Sequence, residues 1–499
     1  LKHTLLKIPK SIWYVLLALT AFRLLYILFL PLIPQEAYYW YYARYPDFSY
    51  FDHPPMAAYS IWLGTHLFGD TFFGVKFMAV IWGLGTSLLL YLTTIEAVHY
   101  FWPERQEDAI KLGLFSIVLY NLSVFAHLYS LLIVPDSPLL FFWIWSIFLF
   151  LKIIQTGHKK YWLLIGFSLG LGMLSKYTMI ALLPAFFVVL LLKKELRRYL
   201  LSPWPYLSLL IMALVFAPVI YWNYSHHWAS FSFQFGERAS GLKKLQSKYI
   251  GQLLASQLAL LTPLLFFPFF KTVYVSLKSW KRNFGLFYFT LSGLFIIGGF
   301  VLVSLRSLVK MNWLMPGYLG LIIATAYLFF AKLQKPGRWL KTGIGFSLFL
   351  ILVAHLLQIV PNIPLGEGNT WSGWQDATQQ IYQLQKEKGG REECFIFANS
   401  YKSASLLKFY LPEHQDTYAQ NIYGRPALQF DIWGLPDSLL GKNALYVFTD
   451  RHEYRNDLKY VRQVFDKVTL LKTFEYRFAG NIHTRTIYCY FAENYHGPD

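Results

Sequence analysis

Residues 11–55 read SIWYVLLALTAFRLLYILFLPLIPQEAYYWYYARYPDFSYFDHPP. The first part, about 11–33, is apolar apart from Arg23. A helix rising about 1.5 Å per residue over that length crosses the ~30 Å hydrocarbon core of a bilayer. It is too long for a removed signal peptide and lacks a small-residue cleavage site. The second part changes character at once: PQEAYYWYYARYP and DFSYFDHPP replace Leu and Ile by Tyr, Trp and carboxylates. A span that opens into a long loop of rings and acids indicates a helical membrane protein with its polar groups gathered outside the hydrocarbon.

Ten more apolar runs follow, at about 73–97, 112–130, 137–152, 161–175, 177–192, 204–222, 251–270, 284–304, 314–331 and 342–360, for about eleven transmembrane helices in all. Hydrophobic residues make up 56% of the 499 and charged residues 14%, against about 25% charged in soluble domains. That excludes a disordered chain and argues against a soluble enzyme. The net charge of +18 would suggest nucleic acid if it formed a patch, but it is spread over loops. Residues 1–360 carry 30 Lys+Arg and 11 Asp+Glu, and residues 361–499 carry 15 and 16. With the N-terminus cytoplasmic, 20 basic residues fall in cytoplasmic loops, among them Lys2, Lys7, Lys332 and Lys335. Eight face the other side: Arg44, Lys176, Arg238, Lys243, Lys244, Lys248, Arg306 and Lys310. This is the positive-inside bias of an inner-membrane protein, and nucleic acid drops out as a partner.

The expected organisation is a transmembrane domain over 1–360, with a long first outer loop at 34–72, and a soluble extracytoplasmic α/β domain over 361–499. In the first loop two short Tyr- and Trp-rich helices, suited to lying at the membrane interface, flank a turn at Pro54–Pro55. After 361, residues 394–400, 444–450, 468–478 and 484–491 have strand character, and 373–388 and 401–411 are helical. Cys394 and Cys489 fall on two of the strands, where an extracytoplasmic disulfide is chemically allowed.

No nucleotide loop, GxSxG elbow or metal-ligand motif occurs. The candidate chemistry lies in acids facing the outside: Glu36, Asp52 and Asp136. Carboxylates beside apolar helix ends are costly unless paired or near water. The plainer reading of Asp136, in Val134-Pro135-Asp136-Ser137-Pro138, is a helix N-cap. Lys176, Arg306 and Lys310 face the same side and suit a lipid phosphate, although such residues also snorkel to headgroups. Glu36 or Asp52 with His226 or His227 is the one arrangement left for a divalent metal, and no cofactor is otherwise implied.

Several segments resemble the bacterial family 39 glycosyltransferases, relatives of the protein O-mannosyltransferases and of the aminoarabinose transferases that modify lipid A. They are Gln35-Glu36-Ala37-Tyr38-Tyr39-Trp40, Tyr50-Phe51-Asp52-His53-Pro54-Pro55, Pro135-Asp136-Ser137-Pro138, Ser175-Lys176-Tyr177, Trp228-Ala229-Ser230-Phe231 and Lys310-x-Asn312-Trp313-x-x-Pro316. The resemblance covers about 10–360, with weaker matches at Gly373-Trp374 and Tyr401.

It implies a GT-C fold, a polyprenyl-phosphate sugar as donor, and inverting transfer to a lipid, glycan or protein acceptor. A first-loop carboxylate would act as general base and the lipid phosphate would leave. The residues suit this chemistry. A hydroxyl is a weak nucleophile and needs a base. A phosphate leaving group needs cations or hydrogen-bond donors. One position departs from the family: its commonest motif begins Asp-Glu, and here the first acid is Gln35, an amide that cannot be a base. Three readings follow: Glu36 or Asp52 carries the role, Asp136 contributes, or the chain is an altered or inactive relative. Glu36 with Asp52 is the favoured catalytic pair. Gln35, Tyr39, His53, Asp136, Lys176, Arg306, Lys310 and Trp313 are the expected substrate contacts. A flippase for lipid-linked glycans is the alternative class; it predicts charges deep in spans and repeated halves, whereas only Arg23 and Lys76 fall within spans and no repeat occurs.

Overall fold

A computed structural model describes residues 8–237, 245–330, 337–363, 371–420, 427–449 and 457–497. Lys2, Lys7, Arg238, Lys243, Lys244, Lys332 and Lys335, used above in the topology argument, lie outside the described residues. The chain begins with α1 (Lys10–Tyr26), α2 (Pro34–Arg44), α3 (Met56–Phe68), α4 (Phe72–Phe101), α5 (Ala109–Asn121), α6 (Val124–Tyr129) and α7 (Asp136–Thr156). It continues with α8 (Lys160–Ser175), α9 (Leu182–Leu192), α10 (Pro203–Ser225), α11 (Ser247–Lys278), α12 (Phe284–Ser304), α13 (Met315–Thr325) and α14 (Arg338–Ile359). The last part holds α15 (Trp374–Glu387), β1 (Cys394–Ala398), α16 (Tyr401–Tyr410), β2 (Thr417–Tyr418), α17 (Gln429–Trp433), β3 (Asn443–Thr449), β4 (Phe465–Phe478) and β5 (Ile482–Tyr495).

Among the described residues, α4, α7, α10, α11, α12 and α14 are long and apolar enough to cross a membrane, and Lys160–Ser175, Tyr177–Leu192 and Met315–Phe329 are shorter apolar segments. Several expected spans are cut short for local reasons. The first helix stops at Tyr26, well before Pro31 and Pro34, whose rings disfavour helix in the residue ahead of each. The run at 112–130 divides into α5 and α6 at Leu122–Ser123. α11 is interrupted at Thr262, with φ +58°, immediately before Pro263; proline supplies no N–H and pushes its predecessor out of the helical region.

The chain forms two compact units. The first comprises residues up to 27, 53–64 and 76–354, and the second 28–52, 65–75 and 355 onward. In the first unit a continuous apolar core runs through α4, α5, α7, α8, α9, α12 and α13. α12 and α13 meet backbone to backbone: a Cβ on Gly293 would lie 1.9 Å from the Gly317 carbonyl oxygen. Small residues at such a crossing are the membrane route to close helix packing, and this crossing sets the start of α13 just after the 305–314 loop.

The second unit is built on a five-stranded sheet of order β2-β1-β3-β5-β4. β1 is parallel to β2 and β3, and β5 is antiparallel to β3 and β4. Phe395, Phe397, Tyr446, Phe448, Phe465 and Tyr495 fill its core. α2, from the first loop, belongs to this unit. Every residue from Glu36 to Ala43 is buried: Trp40 packs on Phe409, Tyr38 on Tyr401, and Tyr41 on Trp433. Its rings thus serve protein packing rather than the lipid interface expected for this helix.

Cys394 and Cys489 are both free and buried. The disulfide considered from sequence is not formed, because β3 lies between their strands. Two strand spacings of about 4.8 Å exceed the ~7 Å limit on Cα separation for a bridge.

Candidate active site

In the second unit, α2 begins as its sequence dictates. Pro34 occupies the first turn, where an N–H has no helical partner anyway. Glu36 accepts the Ile33 N–H at 3.1 Å, the return contact of a capping box. Glu36 is fully buried. At about 100° per residue, it lies far round the helix from the stripe of Tyr38 and Tyr42. Gln35 is half-buried, and Tyr39 is buried with its ring centroid 5.9 Å from that of Tyr42.

The Tyr38–Tyr42 stripe reaches Asp52. The Tyr42 hydroxyl donates to Asp52 Oδ1 at 2.5 Å, and Asp52 is 6% exposed. Tyr42 stacks on Tyr50 at 4.0 Å and 8°. The Tyr50 hydroxyl in turn donates to the Tyr42 carbonyl at 3.0 Å. Tyr38 and Tyr42 pack ring to ring, centroids 4.5 Å apart at 57°. Burial, and next the Asp52 charge, hold both phenols well above their ordinary range. They remain protonated donors, which leaves the Asp52 carboxylate as the proton acceptor of the group.

In the first unit, four of the segments quoted from the sequence come together. Asp136, 3% exposed, opens α7. It is not the N-cap of the plainer reading, since Ser137 takes the local bonds: its Oγ accepts from Val134 N–H and donates to the Leu132 carbonyl. Both Asp136 oxygens are thereby left for distant partners. Lys176 Nζ donates to Oδ1 at 2.8 Å and Asn312 Nδ2 to Oδ2 at 2.7 Å. Next to Lys176, the Tyr177 hydroxyl pairs with Ser230 Oγ at 2.9 Å. Asn312, within a quoted motif but given no role from sequence, thus ties the 305–314 loop to α7. Gln257 holds the same loop through the Met311 carbonyl at 3.0 Å and is held itself by Tyr318.

Lys176 is 8% exposed and its charge is met by Asp136. Arg306 and Lys310 are exposed on the loop. Trp313 is half-buried against Phe300, ring centroids 5.1 Å apart. His53 is half-buried, ahead of Pro54–Pro55. Of the in-span cations, Arg23 donates to Asn121 Oδ1 at 2.6 Å and Lys76 is fully buried. Among the described residues no three His, Cys, Asp or Glu side chains form a metal set. His226 lies on Trp222 with its Nδ1 2.8 Å from the Trp222 carbonyl oxygen.

Over residues 52–222 the chain matches the family described as dolichyl-phosphate-mannose-protein mannosyltransferase. That stretch holds Asp52, His53, Asp136 and Lys176. The chain is 22% identical, over 455 residues, to lipid A galacturonosyltransferase RgtD of Rhizobium johnstonii, covering 87% of this chain and 90% of that protein. It superimposes on the crystal structure of apo ArnT from Cupriavidus metallidurans with a TM-score of 0.64 at 12% identity, over 96% of this chain and 98% of that one. The chain has the GT-C fold, and the family and the relative that it matches are glycosyltransferases. ArnT bound to undecaprenyl phosphate gives this chain a TM-score of 0.62 at 14% identity, with the same coverage. In this chain the segments Ser175-Lys176-Tyr177, Trp228–Phe231 and Lys310–Trp313, scattered in sequence, are the ones that Asp136, Tyr177 and Ser230 join.

Proposed function

We propose that the transferase takes a sugar from a polyprenyl phosphate and passes it, with inversion, to a hydroxyl of an extracytoplasmic acceptor. Lipid A is the first candidate acceptor, by similarity to RgtD, and undecaprenyl phosphate the lipid carrier, by similarity to ArnT. The transferred group is a hexose or pentose. The protein would lie in the bacterial inner membrane, N-terminus cytoplasmic and residues from 361 onward extracytoplasmic, as the loop charges indicate.

The acceptor O–H attacks the anomeric carbon and gives its proton to a carboxylate. The bond from that carbon to the phosphate oxygen breaks, and the lipid phosphate leaves with the electron pair. Asp52 is the proposed base: its Tyr42 contact keeps an oriented carboxylate within general-base chemistry. Glu36 is retained as the second site acid, although it caps α2. Arg306 and Lys310 would stabilise the departing phosphate together with Lys176 and His53. Gln35 and Tyr39 in the second unit, and Asp136 and Trp313 in the first, are the remaining proposed substrate contacts.

The observation that carries this reading is the joining of four separated segments by the Asp136–Lys176, Asp136–Asn312 and Tyr177–Ser230 contacts. Mass spectrometry of lipid A and envelope glycans, from cells with and without the protein, tests it. Loss of one sugar mass from a glycolipid supports the proposal; identical profiles count against it.

A further inference from the structure

Asp52 is held by more than Tyr42. Gln429, at the start of α17 and 1% exposed, makes two contacts to the first loop. Its backbone N–H donates to the Tyr38 hydroxyl at 3.0 Å. Its side-chain Oε1 accepts the N–H of Phe51, the residue before Asp52, at 2.8 Å. Tyr38 in turn packs against Tyr42, the donor to Asp52, with ring centroids 4.5 Å apart. One residue thus anchors both the ring that backs this donor and the backbone that carries its acceptor.

The local structure around Gln429 is arranged for this. Leu428 has φ +58° and ψ −119°, a conformation that residues with a Cβ rarely adopt. Strain of this kind persists where the surroundings enforce it, and it gathers at functional positions. Asp431 Oδ2 accepts the Ala427 N–H at 2.6 Å across the turn. Phe430 and Trp433 of α17 pack on Tyr41, centroids 4.9 and 5.0 Å away. α17 thus presents Gln429 to the first loop from a fixed seat.

We infer that Gln429 is a positioning residue for the Asp52 carboxylate, so that the segment after the membrane spans sets the geometry of the proposed base. The inference rests on the reading of Asp52 as the acid–base group.

The test is sugar transfer by the full-length protein in liposomes, using undecaprenyl-phosphate sugars and lipid A, for wild type, Gln429→Leu, Gln429→Glu and Asp52→Asn. Displacing a reacting group by about 1 Å costs up to about 100-fold in rate. Gln429→Leu is expected to lower kcat by about 10–100-fold with KM for the donor within about two-fold. Gln429→Glu, which keeps an acceptor oxygen for Phe51 N–H, is expected to recover most of that loss. Wild-type kcat in Gln429→Leu, or an equal fall in both variants with KM rising in step, overturns the inference. Full transfer by Asp52→Asn overturns the base assignment itself; loss in Asp52→Asn with no change in Gln429→Leu overturns only the role of Gln429.

Discussion

Asn312 donates to Asp136 at 2.7 Å across 176 residues of sequence. With Lys176 on the other oxygen, the Asp136 carboxylate is a buried hub that fixes two segments at one place. A buried charge stripped of its partner costs about 3–5 kcal/mol.

Lys176→Met should therefore destabilise the protein by about 3 kcal/mol or more, and Asp136→Asn should also lower stability. The double variant should lose less than the two singles added, because neither charge is left uncompensated. Thermal unfolding in detergent reads this. Additive losses would mean that the two side chains do not interact.

Gly293 and Gly298 form a matched pair on α12. A Cβ on Gly293 meets the Gly317 carbonyl oxygen at 1.9 Å, whereas nothing lies within 4 Å of one on Gly298. Gly293→Ala should cost about 1–3 kcal/mol by overpacking. Gly298→Ala should be neutral or slightly stabilising, since alanine is the better helix former. Equal melting temperatures for the two would contradict the α12–α13 contact.

Burial pushes the thiols of Cys394 and Cys489 up to about 12 from a usual 9.0. At pH 8 both are protonated and enclosed, so the native protein should react slowly with thiol reagents. Denatured, unreduced protein should titrate two thiols, and none would indicate a bridge. Because the folded state holds these protons more tightly, their contribution to stability is complete below pH 9. It declines as pH rises from 9 towards about 12. Chemical denaturation across that range should show the alkaline loss, and Cys394→Ala/Cys489→Ala should reduce it.

Removing the hydroxyl that orients the proposed base should slow transfer. Tyr42→Phe keeps the ring stacked on Tyr50 but deletes the donor to Asp52, and is expected to lower kcat by about ten-fold or more. A Tyr42→Phe rate equal to wild type would show that this contact has no part in the reaction.

The periodicity in sequence already located the strands later seen as β1, β3, β4 and β5, because alternation and β-branched runs act locally. The acids and cations of the candidate site stand out in the sequence for a similar reason: charge is conspicuous beside apolar spans. What depended on distant partners was not. Asp136 before Ser-Pro looks like a cap, and only the fold reveals that Ser137 takes the cap's bonds and frees Asp136 for Lys176 and Asn312. The rings of α2 look like interface anchors until Phe409, Tyr401 and Trp433 are seen against them. Both cysteines sit on strands in the sequence, but nothing local says that β3 comes between them.

The most direct test of the central claim is transfer by purified wild-type and Asp52→Asn protein in liposomes. Labelled undecaprenyl-phosphate sugars would serve as donors and lipid A as acceptor. Wild type should move label to the acceptor, and Asp52→Asn should be slower by about 100-fold or more. Equal transfer by the two proteins would contradict the assignment of Asp52 as the base, and no transfer by wild type from any donor would contradict the proposed reaction.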